Sequence, residues 1–278
     1  MKAAMMGELL ALASAVCFGT TDFLSGLASR RVNGLTVALY GQLSGTALSV
    51  LVALLAGPST LDSSALMWGA LSGLGTGVGV GFLFRATGKG ALSVVVPLSD
   101  VGAVALPVAV GLAFLGERPS ALALTGMVAA LPAIWLVSRG DGARARGGLA
   151  DALVAGAGFA VQFLAMARIP AEAGLWPVVV SRVSSVLLLA ALVAATGAPW
   201  TFRRPGPVFA SGAIGTAAIL CYLFATQQQL MSIATVLAAL FPAIPVVLGL
   251  IVLSERVNRR QVTGLVCAGA AIALIALR

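Results

Sequence analysis

Ten runs of mostly apolar residues follow one another along the chain, separated by short polar breaks. They cover roughly 8–28, 34–57, 65–87, 91–115, 120–138, 149–168, 173–196, 207–228, 230–253 and 260–277. About 20 such residues cross the hydrocarbon core as a helix. The runs are too long for membrane-barrel strands and lack their alternation. Lipid offers backbone groups no partner, so each run is expected to satisfy its own as a helix. The predicted fold class is an all-α membrane protein with ten transmembrane helices.

The pattern also repeats. Glu117-Arg118 followed by Thr125-Gly126 returns as Glu255-Arg256 followed by Thr263-Gly264, an offset of 255 − 117 = 138, and Pro107 returns as Pro245 at the same spacing. Earlier in the chain the offset is 140: Gly34 matches Gly174, Gly57 matches Gly197, and Phe23-Leu24 matches Phe163-Leu164. The predicted division is a first five-helix repeat over 1–140, a linker over 141–148 and a second repeat over 149–278. The Gly- and Arg-rich stretch from Arg139 to Gly148 reads as a flexible hinge. Five spans are an odd number, so the repeats must face opposite ways across the bilayer. Inverted repeats of this kind build many secondary transporters, whose substrate site lies near the midplane between the halves.

Composition agrees. Sixty per cent of residues are hydrophobic and 9% charged, with a mean hydropathy of +1.06, values outside the range of soluble domains. The apolar N-terminal run aligns with the sixth in the repeat, so it is expected to be a retained helix and not a cleaved signal. The net charge of +8 comes mostly from arginines between spans. It fits anionic lipid headgroups and topology control, and no aromatic-studded basic stretch argues for nucleic acid. Cys17, Cys221 and Cys267 all fall within spans without paired spacing, and there is no histidine. Neither a structural disulfide nor a metal site is expected, and no cofactor is implied. Trp68, Trp135, Trp176 and Trp200 fall near span ends or in a loop, as in an interfacial belt.

Three charged residues fall deep inside spans. Counting inward from the nearest charged end at 1.5 Å per residue puts Asp22 roughly 12 Å deep, Asp100 roughly 16 Å and Arg182 roughly 15 Å. A charge at a helix centre costs at least about 2.5–3.5 kcal/mol, so these side chains are expected to face the bundle interior, a wet cavity or each other. At the 140-residue offset Asp22 corresponds to Gln162 and Arg182 to Gln42, so polar residues hold all four equivalent places. That is what a substrate cavity between repeats requires; the structural alternative is a buried Asp–Arg pair that only orients helices. Phe18 and Phe159 are candidates to line the same cavity, and either aspartate, if neutralised by burial, to carry a coupling proton. Pro97, Pro107, Pro242 and Pro245 are expected to bend spans 4 and 9 around it. Glu117 and Glu255 are expected to hold tight turns at the starts of the following helices. The third span carries glycines at 69, 73, 75, 77, 79 and 81. These read as close helix packing and not as a nucleotide loop, since no strand precedes them.

The duplicated Leu-Gly-Glu-Arg (115–118) and Leu-Ser-Glu-Arg (253–256), the Thr-Gly pairs that follow, and the opening Phe18-Gly19-Thr20-Thr21-Asp22-Phe23 resemble the drug/metabolite transporter superfamily, EamA type. The resemblance covers nearly the whole chain. It implies alternating-access transport of small organic solutes, often amino acids or other metabolites and often outward. Arg182 falls where such proteins commonly carry an arginine, while Gln42 in the first repeat departs from that pattern. Lys and Arg number four on the side holding the termini and twelve on the other, which places the termini outside the cytoplasm. The resemblance implies cytoplasmic termini, and the sequence leaves both alternatives open.

The expected function is a secondary transporter, an exporter of small solutes such as amino acids or other metabolites, in a bacterial inner membrane, with membrane lipids around it. It is expected to be a monomer or weak homo-oligomer and not an enzyme, since three isolated midplane charges form no catalytic cluster. The alternative is a lipid-handling flippase, for which Arg30, Arg31, Arg85 and Lys89 would supply a headgroup site.

Overall fold

The structure, a computed structural model, describes residues 2–56, 62–114, 121–138, 147–166, 168–201, 205–228, 241, 243–254 and 259–276. Glu117, Glu255, their neighbours Arg118 and Arg256, Pro242 and most of the linker lie outside the described residues. The described residues form α1 (Lys2–Ser29), α2 (Gly34–Leu55), α3 (Ser63–Lys89), α4 (Leu92–Phe114), α5 (Ala121–Ser138), α6 (Leu149–Met166), α7 (Trp176–Thr196), α8 (Gly206–Gln228), α9 (Ala243–Val252) and α10 (Arg259–Ala276). No strand occurs among them. Five of these helices are long and apolar enough to cross a membrane by themselves: α1 from Met6, α2, α3, α6 and α7. Shorter apolar segments occupy Val94–Ala103 in α4, Gly206–Tyr222 in α8 and Val262–Ala271 in α10. The helices follow the apolar runs to within a few residues, except that α1 begins earlier and α9 is described only from Ala243.

Local chemistry sets the ends. Asn33 accepts from the Leu35 N–H at 2.9 Å to open α2, and Asp62 accepts from Ala65 at 3.1 Å to open α3. Both satisfy amides that the first turn leaves unpaired. Gly197, at φ +64°, closes α7 in the left-handed conformation that glycine adopts without steric cost. Within the helices, hydroxyls turn back on their own chains. Thr20, Ser29, Thr46 and Thr76 each donate to the carbonyl four residues before, at 2.7–2.9 Å. Lipid has no partner to offer these groups.

The outward faces are apolar. Leu55, Met67, Ile251, Val128 and Val266 are all well over half exposed, as a lipid-facing surface requires and a water-facing one would not tolerate. The inward faces meet through glycine. A Cβ on Gly73 would strike the Ser181 carbonyl, and one on Gly212 would strike the Gly41 carbonyl. Gly75 and Gly158 make similar backbone approaches between α3 and α6. The glycine run read as packing in the third span therefore packs against α6 along one side and α7 along the other.

The packing order has two-fold character. Helix α3 packs on α6 and α7, while α8 packs on α1 and α2; α4 packs on α6, while α9 packs on α1. Exchanging each helix of the first half with its counterpart five places on converts each first contact into the second. It leaves the pairs α2–α7 and α5–α10 unchanged. The counterparts α2 and α7 run antiparallel. Leu35 and Leu189 converge beside Gly81, Gln42 meets Arg182, and Ser49 lies near Val178.

Pro245 lies in α9, which is described from Ala243 to Val252. Pro97 and Pro107 lie inside α4, which runs unbroken from Leu92 to Phe114. The hinge also has a fixed end. Gly148, at φ +78°, sits against Ala86, and Gly147 presents its carbonyl to Gly90, so the last linker residues are packed on the end of α3.

If backbone approach holds the bundle, Gly73→Ala and Gly212→Ala should each destabilise the purified protein by about 1–3 kcal/mol through overpacking. Gly269→Ala, where a Cβ meets open space, should leave the melting temperature unchanged or raise it slightly. Equal melting temperatures for all three would contradict this.

Candidate functional site

Arg182 lies in the second turn of α7 and Gln42 in the third turn of α2, both at least nine-tenths buried. The Arg182 guanidinium donates from Nη1 to Gln42 Oε1 at 2.8 Å. These are the two residues that correspond across the repeat, 182 − 42 = 140, so the bond sits on the approximate two-fold. Gly45 makes room for it: a Cβ there would lie 3.6 Å from the guanidinium carbon and 3.0 Å from Thr216 Oγ1. Thr216 of α8 donates to the Gly45 carbonyl at 3.2 Å. Arg182 has five N–H donors, and Gln42 takes one of them.

Asp22 and Asp100 form a second locus, on α1 and α4. The two helices pack against one another. Asp100 is 4% exposed, and its Oδ2 has no hydrogen-bond partner among the described residues. Gln162 on α6, the repeat counterpart of Asp22, likewise has a buried Oε1 without a partner there. Ser49 and Ser185, on the helices that carry Gln42 and Arg182, add two more buried unpartnered hydroxyls. Unpartnered polar atoms are uncommon in native interiors, and here they gather on the helices that sequence reasoning singled out. The buried Asp–Arg pair does not form: among the described residues, neither Asp22 nor Asp100 makes an ion pair with Arg182.

Of the aromatics, Phe18 packs against Phe241 with centroids 6.0 Å apart, joining α1 to the approach to α9. Phe159 lies over Gly79, where a Cβ would be 2.5 Å from its ring, and it borders the main core cluster. Both therefore make packing contacts between helices of opposite halves.

Sequence reasoning passed over Asp151. It stands in the first turn of α6, where a carboxylate favours the positive end of the helix dipole. Arg85 holds it with two bonds, Nε at 3.2 Å and Nη2 at 2.9 Å, and Lys89 adds a third at 2.6 Å. The signal was present. Arg85 and Lys89 are four apart and so share a face of α3, but the anion they meet lies 62 and 66 positions further on. Sequence reasoning also missed the polar links between halves: Ser25 with Ser211 at 2.9 Å, Thr21 to the Ser211 carbonyl at 3.1 Å, and Ser181 with Ser72 at 3.4 Å. Small hydroxyls in apolar runs read as packing residues, and nothing local marks which will meet.

A solved crystal structure superposes on this bundle with a TM-score of 0.60, covering 96% of this chain and 96% of its own. At 16% identity that likeness concerns the fold alone. None of the curated proteins compared with the chain matches it. Residues 5–139 match the EamA-like transporter family, and residues 147–277 match it a second time. The chain is thus a multi-pass membrane protein built of two copies of one helical unit, and it belongs to the EamA-like transporter family.

Proposed function

We propose that this chain is a secondary transporter that moves a small organic solute across a bacterial inner membrane by alternating access. On this reading ten helices cross the bilayer as two inverted five-helix repeats, over 1–140 and 149–278, joined by 141–148. The observation that carries it is the bond between Arg182 and Gln42. Counterpart residues on antiparallel counterpart helices touch, which is the arrangement expected of inverted repeats meeting at a midplane site. Arg182 carries five N–H donors, of which Gln42 takes one, so it can donate to a carboxylate or another anionic group. Asp22 and Asp100 offer acceptors for an ammonium group or a coupling proton, so an amino acid or similar metabolite suits the pair of loci. Export is the expected direction.

The flippase alternative weakens. Two of the four cations that would hold a lipid headgroup, Arg85 and Lys89, are engaged by Asp151.

Reconstitution in liposomes, with labelled amino acids and aromatic metabolites supplied with and without a pH gradient, tests the reading. Arg182→Gln should lower the transport rate at least about tenfold, since a hydrogen bond to a charged group contributes about 1.5–3 kcal/mol. Asp22→Asn and Asp100→Asn should remove the stimulation of transport by a pH gradient while the protein remains monodisperse in detergent. Wild-type rates in all three variants would reduce these charges to a structural role.

A further inference from the structure

The two halves are alike in packing but not in charge, and one of the differences falls at one end of one helix junction. Helices α3 and α6 run antiparallel, and at the end where α3 finishes they are tied by Asp151 to Arg85 and Lys89. The Asp151 side chain is 9% exposed, against 39% for Arg85 and 51% for Lys89, so a buried anion is clamped between two cations from a single turn. Glycine contacts close the same end. Gly90 abuts the Gly147 carbonyl and Gly148 abuts Ala86. This is the end where Ser29 meets Gly88, and Gly34 meets Phe84 and Arg85, and where the cationic termini of α1 and α3 gather.

The counterpart junction is α8 with α1, at the opposite end of the bundle. Counting 140 residues, Asp151 corresponds to Ala11, Arg85 to Ala225 and Lys89 to Gln229. Ala11 and Ala225 pack together there, each 0% exposed, with Leu10 and Tyr222 around them. The positions that hold the ion cluster on one side of the molecule thus hold a contact between two alanines on the other.

We propose that the Asp151–Arg85–Lys89 cluster is a one-sided latch, which holds the end bearing Arg30 and Lys89 shut and biases the carrier towards states open at the other end. The proposal rests on the alternating-access reading. If each half takes the other's conformation in turn, α3 and α6 must part at this end as α8 and α1 close at theirs. Parting strands Asp151 beside an apolar helix end, or hydrates it together with two cations. Parting Ala11 from Ala225 exposes only methyl groups. The two half-cycles therefore differ in free energy by the strength of charge-assisted bonds present on one side alone. Because it biases the resting state, the latch also makes the apparent affinity for solute unequal at the two faces, while the gradients set the direction of net flux.

The test reads access and not transport, so its failure is distinct from failure of the carrier reading. In full-length protein with Cys17, Cys221 and Cys267 replaced by serine, a single reporter is placed by Ala155→Cys, one turn inside Asp151 and at a position 0% exposed. Its reaction with a charged thiol reagent is timed in detergent and in liposomes. Adding Asp151→Asn should speed labelling at least about tenfold, the effect of removing roughly 1.4 kcal/mol of holding energy. Lys89→Ala, which keeps the Arg85 bonds, should give a smaller increase, and this milder variant serves should Asp151→Asn fail to fold. A matching pair at the other end, Ala11→Asp with Ala225→Arg, should slow labelling of an Ala15→Cys reporter and speed that of Ala155→Cys, because the two ends close in alternation. Unchanged labelling of the Ala155→Cys reporter in both Asp151→Asn and Lys89→Ala overturns the latch, whether or not any solute is transported.

Discussion

Lipid is as apolar as leucine, so no hydrophobic force draws one helix of this bundle to another once both are inserted. What remains is contact, and contact depends on how closely backbones approach. The structure meets that constraint at equivalent places, with Gly73 of α3 against the Ser181 carbonyl of α7 and Gly212 of α8 against the Gly41 carbonyl of α2. These two approaches bracket the helix pair that carries Gln42 and Arg182. They press that pair together from both sides, and Gly45 leaves space for the guanidinium. The polar site exists because the glycines around it leave room for nothing larger.

Much of this was legible in the sequence. The apolar runs gave the helices, since length against bilayer thickness is a strong constraint that tertiary context does not override. The duplicated Glu-Arg and Thr-Gly pairs gave the halves, and the family match over 5–139 and 147–277 accords with them. The offset arithmetic even set Arg182 opposite Gln42. It did not say that the two would bond, because an offset states equivalence and not proximity; only residues near the two-fold meet their own counterparts. The imagined pairing of Arg182 with Asp22 or Asp100 failed for a related reason. Depth along the membrane normal was readable, but the direction in which each helix faces was not. Phe18 and Phe159, read as cavity residues, make packing contacts for the same reason.

Asp151 shows the opposite error. It lies two residues inside a predicted span, and sequence reasoning gave it no role. Its importance comes from α3 ending beside it with Arg85 and Lys89 on the facing surface, a relation no local pattern reveals. Symmetry sharpens the point. Repeat-related sequences are expected to carry related interactions, and at some positions this chain departs from that. Gln42 against Arg182, Asp22 against Gln162, and Asp151 against Ala11 are all breaks of this kind, made in a scaffold whose packing order is kept.

The central claim is that the halves face opposite ways across the bilayer. Arg31, after α1, and Glu172, between α6 and α7, are both exposed positions at corresponding helix ends, suited to the single substitutions Arg31→Cys and Glu172→Cys. Labelling with a membrane-impermeant thiol reagent in right-side-out and inverted vesicles tests the claim most directly. The account predicts that each cysteine reacts in one vesicle orientation only, and that the two react in opposite ones. Reaction of both from the same side would mean that the repeats are parallel, and would contradict it.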